Sequence, residues 1–245
     1  MKKQFEGSVF SKAFDEVASV AVTKGVSPAK IASVRGYFET KGFDTAISAH
    51  NNNTKTGAFV LTINFPAVVT CNADAPCKKL CYAKKGNMAF ANVQQAYYRN
   101  YLLWLTDSAK YWNQLQNKID EGFEMVRVFD SGDIPEMRYL VELCEFIKKN
   151  PNVAFSGFTK QYDLVNAYIE EFGALPENYK LRFSLWNKEW DAKIANPYKL
   201  PVAVVILPDG SNTEVKNVFH CTCKETCSKC KVCYKSNASV SFDLH

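Results

Sequence analysis

Met125-Val-Arg-Val-Phe-Asp-Ser-Gly-Asp-Ile-Pro135 reads as a β-strand that runs into a polar turn and then opens a helix. Residues 125–130 are rich in β-formers, Ser131-Gly132-Asp133 is turn chemistry, and proline suits the first turn of a helix. The same rhythm recurs downstream. Strand Val153–Phe158 is followed by Thr159-Lys160 and a helix to about Phe172. Strands Leu181–Trp186 and Pro201–Leu207 follow, the latter ending at the turn Pro208-Asp209-Gly210. Upstream, Ala58–Phe65 alternates as a strand that Pro66 stops. Strands alternating with helices predict an α/β fold with right-handed crossovers, as a partial (β/α) barrel or an open, mostly parallel sheet.

Helices are expected before and within this core. Residues 8–22 are amphipathic, and Ser27-Pro28 pairs an N-cap with proline at the first helical position, opening a helix to about Lys41. Residues 44–57 read as a loop. Two helices follow at about 90–105 and 107–121, and their aromatics Tyr97, Tyr98, Tyr101, Trp104, Tyr111 and Trp112 suit a pair buried against the sheet. The expected organisation is an N-terminal helical extension (1–50), an α/β core (51–210) and a cysteine-rich C-terminal segment (211–245) packed on that core.

The 245 residues can hold one sizeable domain with a small appendage. There is no apolar run long enough for a membrane span and no apolar signal stretch after Met1, so a cytoplasmic protein without membrane contact is expected. Stable disulfides are rare in that compartment, which turns attention from disulfides to metal for the nine cysteines. The net charge of +5 permits contact with nucleic acid without demanding it.

Cys144 falls at core spacing with Met137, Leu140, Val141 and Ile147, and reads as packing. The other eight cysteines form two knots. Cys71, Cys77 and Cys81 lie in the loop after the first core strand. Three thiolates leave one position open on zinc, or one unique iron on a four-iron cluster, unless a fourth ligand closes a structural site. Lys84 and Lys85 just beyond would favour the thiolate form. Cys221, Cys223, Cys227, Cys230 and Cys233 form the second knot, C-x-C-x3-C-x2-C-x2-C, with His220 beside it. Four of the five complete a closed site; the fifth is spare, serves the first knot or shares a larger cluster. Spacing does not choose between zinc and iron–sulfur. His50 and His245 read as loop or terminal residues.

In parallel α/β sheets ligands gather at the carboxyl ends of strands. Those ends carry Asp130, Ser131 and Asp133, then Thr159 and Lys160, then Ser184 and Asn187.

The ordered set Thr54-Lys-Thr-Gly57, Thr70-Cys71, Pro76-Cys77, Cys81-Tyr-Ala83, Ser131-Gly-Asp-Ile-Pro135, Phe158-Thr-Lys160, Leu175-Pro-Glu-Asn178, Asn196-Pro197 and a terminal cysteine cluster resembles the gene-product-eighty-eight-like proteins of phages and mobile elements. The resemblance covers roughly residues 50–245 and implies no settled activity. The layout is also similar, more distantly, to radical S-adenosylmethionine enzymes. They carry three cysteines after the first strand of a partial barrel and a Gly-Gly-Glu-Pro-like motif after the second. That likeness implies one or two [4Fe-4S] clusters, S-adenosylmethionine as cofactor and a substrate it does not name. Cys71, Cys77 and Cys81 would hold the cluster with the open iron. Asp133, Lys160 and Ser184 become candidate catalytic residues, and Ser131, Gly132, Asp133 and Thr159 candidates for holding the cofactor. The spacing C-x5-C-x3-C departs from that superfamily's usual C-x3-C-x2-C. The competing reading is a non-catalytic zinc or iron–sulfur module that contacts nucleic acid or a host protein. A zinc deaminase-like reading lacks the His-x-Glu element.

Overall fold

The computed structural model describes residues 4–50, 56, 57, 59–222 and 224–244. Cys223, His245 and the Asn51–Asn53 stretch of the expected loop lie outside the described residues.

Eight strands form one sheet: β1 (Ala49–His50), β2 (Val60–Ile63), β3 (Met125–Val128), β4 (Ala154–Thr159), β5 (Tyr179–Leu185), β6 (Val202–Ile206), β7 (Phe219–His220) and β8 (Val240–Asp243). Their order is β1-β2-β3-β4-β5-β6-β8-β7. β1 pairs antiparallel with β2, and every other pairing is parallel. With β1 and β7 at its two ends, the sheet is the open, mostly parallel alternative; the barrel is not realised among the described residues.

The helices are α1 (Val9–Thr23), α2 (Pro28–Lys41), α3 (Ala91–Thr106), α4 (Ser108–Asp120), α5 (Met137–Lys148), α6 (Tyr162–Phe172), α7 (Lys188–Asp191), α8 (Cys227–Cys230) and α9 (Val232–Lys235). α2 begins as its sequence dictates, with the Ser27 hydroxyl accepting from the Lys30 amide and Pro28 at the first position. Asp107 caps α4 through the Lys110 amide at 3.0 Å. β3 stops earlier than expected, because Phe129 turns to a left-handed φ of 64°. A bulky residue tolerates that conformation only where its surroundings impose it. Here the Phe129 amide donates to the Ile63 carbonyl at 3.0 Å, and its ring packs on Phe65 and Tyr139.

Strand alternation sorts the sheet into two faces. Leu61, Ile63, Val126, Val128, Phe155, Leu181 and Phe183 enter the main core with residues of α3, α4, α5 and α6. Trp104, Tyr111 and Tyr139 are fully buried there, as is Cys144, so the aromatic helix pair and the packing role of Cys144 stand as expected. Val60, Met125 and Ala154 belong to a second, smaller cluster, where Tyr234, Cys227 and Cys233 of the C-terminal segment pack against them. A third cluster packs Phe14, Val17, Ile31, Val34 and Phe38 of α1 and α2 on Tyr98 and Leu102 of α3 and on Val69.

The C-terminal segment is more than a packed appendage, because it supplies β7 and β8. β8 pairs with both β6 and β7. No described helix is long and apolar enough to cross a membrane.

Candidate thiolate and polar site at the strand ends

Between Pro66 and Phe90 the chain makes three short 3-10 turns, Pro76–Lys79, Tyr82–Lys84 and Gly86–Ala89. Cys71, Cys77 and Cys81 are all half-buried in this loop. The Val68 amide donates to Cys71 Sγ at 3.4 Å, and the Ala83 and Lys84 amides favour the thiolate of Cys81. Burial still dominates and pushes the Cys71 thiol up to about 12, with Asp133, Cys77 and Cys81 adding in the same direction. The thiolate form at neutral pH therefore needs a cation, which a metal supplies on binding.

The N-terminal helices reach this loop. Lys24, which caps α1, donates through Nζ to the Val69 carbonyl at 2.7 Å and the Cys71 carbonyl at 3.0 Å. A Lys24→Met chain should therefore show at least tenfold faster amide exchange around residues 66–72, since two charge-assisted bonds worth about 1.5–3 kcal/mol each are lost. Unchanged exchange there would contradict the strut role.

The polar residues predicted from the strand ends do come together. Asp133 is buried, and its Oδ1 accepts from the Ile134 amide at 2.8 Å and from Thr159 Oγ1 at 2.6 Å. Oδ2 accepts from the Lys160 amide at 2.8 Å. Lys160 Nζ donates to Ser184 Oγ at 2.6 Å and lies 5.8 Å from the centre of the Trp186 ring. The ends of β3, β4 and β5 are thus tied in one row. Asp133 holds that row together, where the sequence suggested only a contact for a cofactor. Burial raises its carboxyl to about 6, against the opposing pull of the Lys160 amide, the Thr159 hydroxyl, the Ile134 amide and the Lys160 charge.

The cysteine loop is stapled to the same row. Asn72 Nδ2 donates to the Lys160 carbonyl at 3.1 Å, and Gln161 Nε2 donates to the Thr70 and Ile134 carbonyls at 3.2 and 2.9 Å. Thr70 Oγ1 accepts from the Asp133 amide at 3.1 Å. Ser131 is buried with its Oγ unpartnered, while its amide donates to Asn64 Oδ1 at 2.9 Å. Gly132 sits at φ 84°, and a Cβ there would lie 2.7 Å from Thr70 Oγ1 and 2.8 Å from the Phe65 carbonyl oxygen. Gly132→Ala is expected to cost about 2–3 kcal/mol in urea unfolding, combining left-handed strain with a backbone clash.

Sequence reasoning missed three participants. Asn64 bridges β2 to the turn after β3, accepting from the Asp130 amide at 2.7 Å as well as from Ser131. A polar residue between Ile63 and Phe65 was the available signal. Tyr82 donates its hydroxyl to the Asp130 carbonyl. Arg127 forms an ion pair with Asp130 at 3.3 Å and lies with its guanidinium 4.0 Å from the Phe158 ring centre. Asn187 caps α7 through the Trp190 amide at 2.8 Å instead of joining the row.

The second knot lies elsewhere. Cys227 and Cys233 abut Val60, Met125 and Ala154, the first residues of β2, β3 and β4. The Ser228 amide donates to the Thr56 carbonyl at 3.0 Å, before β2. The first knot follows the far end of β2. The two are a strand length apart, about 13 Å for four residues at 3.3 Å each, so the structure does not bring them into one site. His220 Nδ1 lies 3.1 Å from Ser241 Oγ, turning that ring toward β8.

As placed, no three His, Cys, Asp or Glu side chains among the described residues form a group that could hold a metal ion. The donor types of the first loop nonetheless suit a thiophilic centre: three thiols, with backbone amides directed at two of the sulfurs.

No curated protein and no solved structure matches the chain. The Gene product 88 family matches it over residues 38–212. That span starts within α2, earlier than the resemblance read from the motifs, and stops before β7, so the second knot lies outside it. Covering well over half of the 245 residues, the match establishes that the chain belongs to the Gene product 88 family.

Proposed function

We propose that this phage-type protein holds an iron–sulfur cluster at Cys71, Cys77 and Cys81 and binds S-adenosylmethionine beside it, as an enzyme similar to the radical S-adenosylmethionine class acting on an unidentified substrate. The observation that carries the reading is the stapling of a three-cysteine loop onto a row of buried polar groups at the carboxyl ends of adjacent parallel strands. When bound, a cluster with one iron free of protein ligands supplies the electron for reductive cleavage of that cofactor. The chain's own contribution is to position and to exclude water. Val68 and the turn at Ala83-Lys84 direct amides at sulfur. Ser131, Gly132, Asp133 and Thr159 shape the floor of the row, and the Lys160–Ser184 pair offers a cation and a hydroxyl next to it. Lys160 would hold an anionic group of cofactor or substrate, and Ser184 would orient it.

The test is anaerobic purification of the full chain with iron, sulfide and zinc analysis, then electron paramagnetic resonance of the reduced protein with and without S-adenosylmethionine. A four-iron signal that shifts on adding the cofactor, and that disappears in the triple serine variant of Cys71, Cys77 and Cys81, is the expected result. Zinc with no iron would end this reading in favour of a non-catalytic metal module contacting nucleic acid or a host protein.

A further inference from the structure

The C-terminal segment contains a charge that the rest of the described fold does not balance. Arg182, on β5, is fully buried. Its Nε donates to the Ala238 carbonyl at 2.8 Å, Nη1 to the Cys233 carbonyl at 2.9 Å and Nη2 to the Ser236 carbonyl at 2.9 Å. Among the described residues it forms no ion pair with a carboxylate. The other arginine on this face, Arg127, already has Asp130. Carbonyl dipoles satisfy the hydrogen bonds of a guanidinium but leave its charge uncompensated, and an isolated buried charge is among the costliest features a fold can carry. The residues gathered over Arg182 that can become anions are cysteines.

We propose that Cys221, Cys227, Cys230 and Cys233 form a second, self-contained metal centre of four thiolates, seated on Arg182 and independent of the first loop. The backbone prepares it. Cys227 and Cys230 stand three apart in α8, a spacing that puts both on one face. Lys231 then takes a left-handed conformation, φ 54°, and reverses the chain so that Cys233 returns to the same apolar patch as Cys227. Cys221 is fixed from the other side, its amide donating to the Ser241 carbonyl at 2.9 Å. Cys223, next along the chain, is left out of the set. Four thiolates around a divalent cation, or around an iron–sulfur cluster, leave the centre anionic, which is the charge Arg182 lacks. The site takes a thiophilic metal and clips the segment onto the sheet. The first loop has no comparable buried cation without an acidic partner.

The experiment uses the full chain with Cys71→Ser, Cys77→Ser and Cys81→Ser combined, purified anaerobically. Metal analysis should find one zinc or one iron–sulfur cluster per chain, and X-ray absorption at that metal's edge should show only sulfur from the protein. Adding Cys233→Ser should abolish binding, whereas adding Cys223→Ser should not. A folded but metal-free triple variant, a nitrogen or oxygen ligand in the first sphere, or loss of metal with Cys223→Ser would each overturn the assignment. Arg182 is tested by the rate of metal release to a chelator. Arg182→Met should speed it at least tenfold and Arg182→Lys by less; equal rates in all three proteins would refute the seat. Failure of the first-loop cluster would appear in the complementary variant lacking Cys227, Cys230 and Cys233, so the two readings fall separately.

Discussion

An Arg182→Met chain is expected to release its C-terminal segment while the helix-covered side of the sheet stays folded. Arg182 is the main polar link between β5 and the 232–238 stretch, through the Cys233, Ser236 and Ala238 carbonyls. Methionine fills much of the volume of the stem but leaves those three acceptors unmatched. Each orphaned buried acceptor costs about 1–3 kcal/mol, partly offset by no longer burying a charge, for a net loss of about 3 kcal/mol. Locally, that is about a hundredfold rise in the opened population of the segment. Trypsin reads it directly, since Lys216, Lys224, Lys229, Lys231 and Lys235 all lie in this region. Cleavage there should accelerate by about two orders of magnitude, with α3 to α6 remaining protected. Equal cleavage rates in the two proteins would show that the apolar contacts of Tyr234 alone keep the segment in place.

Asp133→Ala carries the other large effect. The motif reading of Ser131-Gly-Asp-Ile-Pro135 suggests that this change spares the fold and abolishes cofactor binding. The structure predicts a stability defect first. Removing the carboxylate orphans the Ile134 and Lys160 amides and the Thr159 hydroxyl, all buried. The expected cost is about 3–5 kcal/mol in urea unfolding. Asp133→Asn should cost less, because one acceptor survives, though its amide group then meets the donor that Oδ2 had accepted from. The two variants also differ in pH behaviour. The folded Asp133 carboxyl lies at about 6 against an ordinary value of 3.8. Below the lower value both folded and unfolded chains are protonated and the group contributes no pH dependence. Between the two values the folded chain keeps a proton the unfolded chain has lost, so stability falls as pH rises, by about 3 kcal/mol across the window. Above about 6 the loss is complete and constant. Asp133→Asn removes this slope. An unchanged pH profile in the Asn variant would show that the slope arises elsewhere.

The sequence was most legible where local physics and global fold agree. Ser27-Pro28 set the start of α2, the aromatic stretch of α3 and α4 packed on the sheet, and each polar turn after a strand stood where a parallel sheet puts it. β3 was read too long because the left-handed turn at Phe129 is imposed by its neighbours Phe65 and Tyr139, which no local propensity reports. β8 was missed although Ser239-Val-Ser-Phe242 alternates. The cysteines beside it directed attention to metal, and the partners that make it a strand lie far away in sequence. Within the candidate site, residue types were readable and their tasks were not. Asp133 and Thr159 were visible as polar, but their hydrogen bonds to each other depend on the register that sets Arg127 opposite Ser156 across β3 and β4. Asn64, Tyr82 and Arg127 were passed over because one sat in an apolar strand, one beside a cysteine and one in a β-run.

β8 lies between β6 and β7 and not at an edge. The order of synthesis and the order in space therefore conflict at this end of the sheet. β1 to β6 can assemble as they emerge, each beside its predecessor, but β7 has no neighbour until β8 arrives and inserts between them. Until then β6 exposes an open edge, which is the state in which parallel sheets pair wrongly or aggregate. Lysines are dense in the stretch of chain made between β7 and β8, at 224, 229, 231 and 235. Their mutual repulsion keeps that stretch solvated during the interval in which the sheet waits for its penultimate strand.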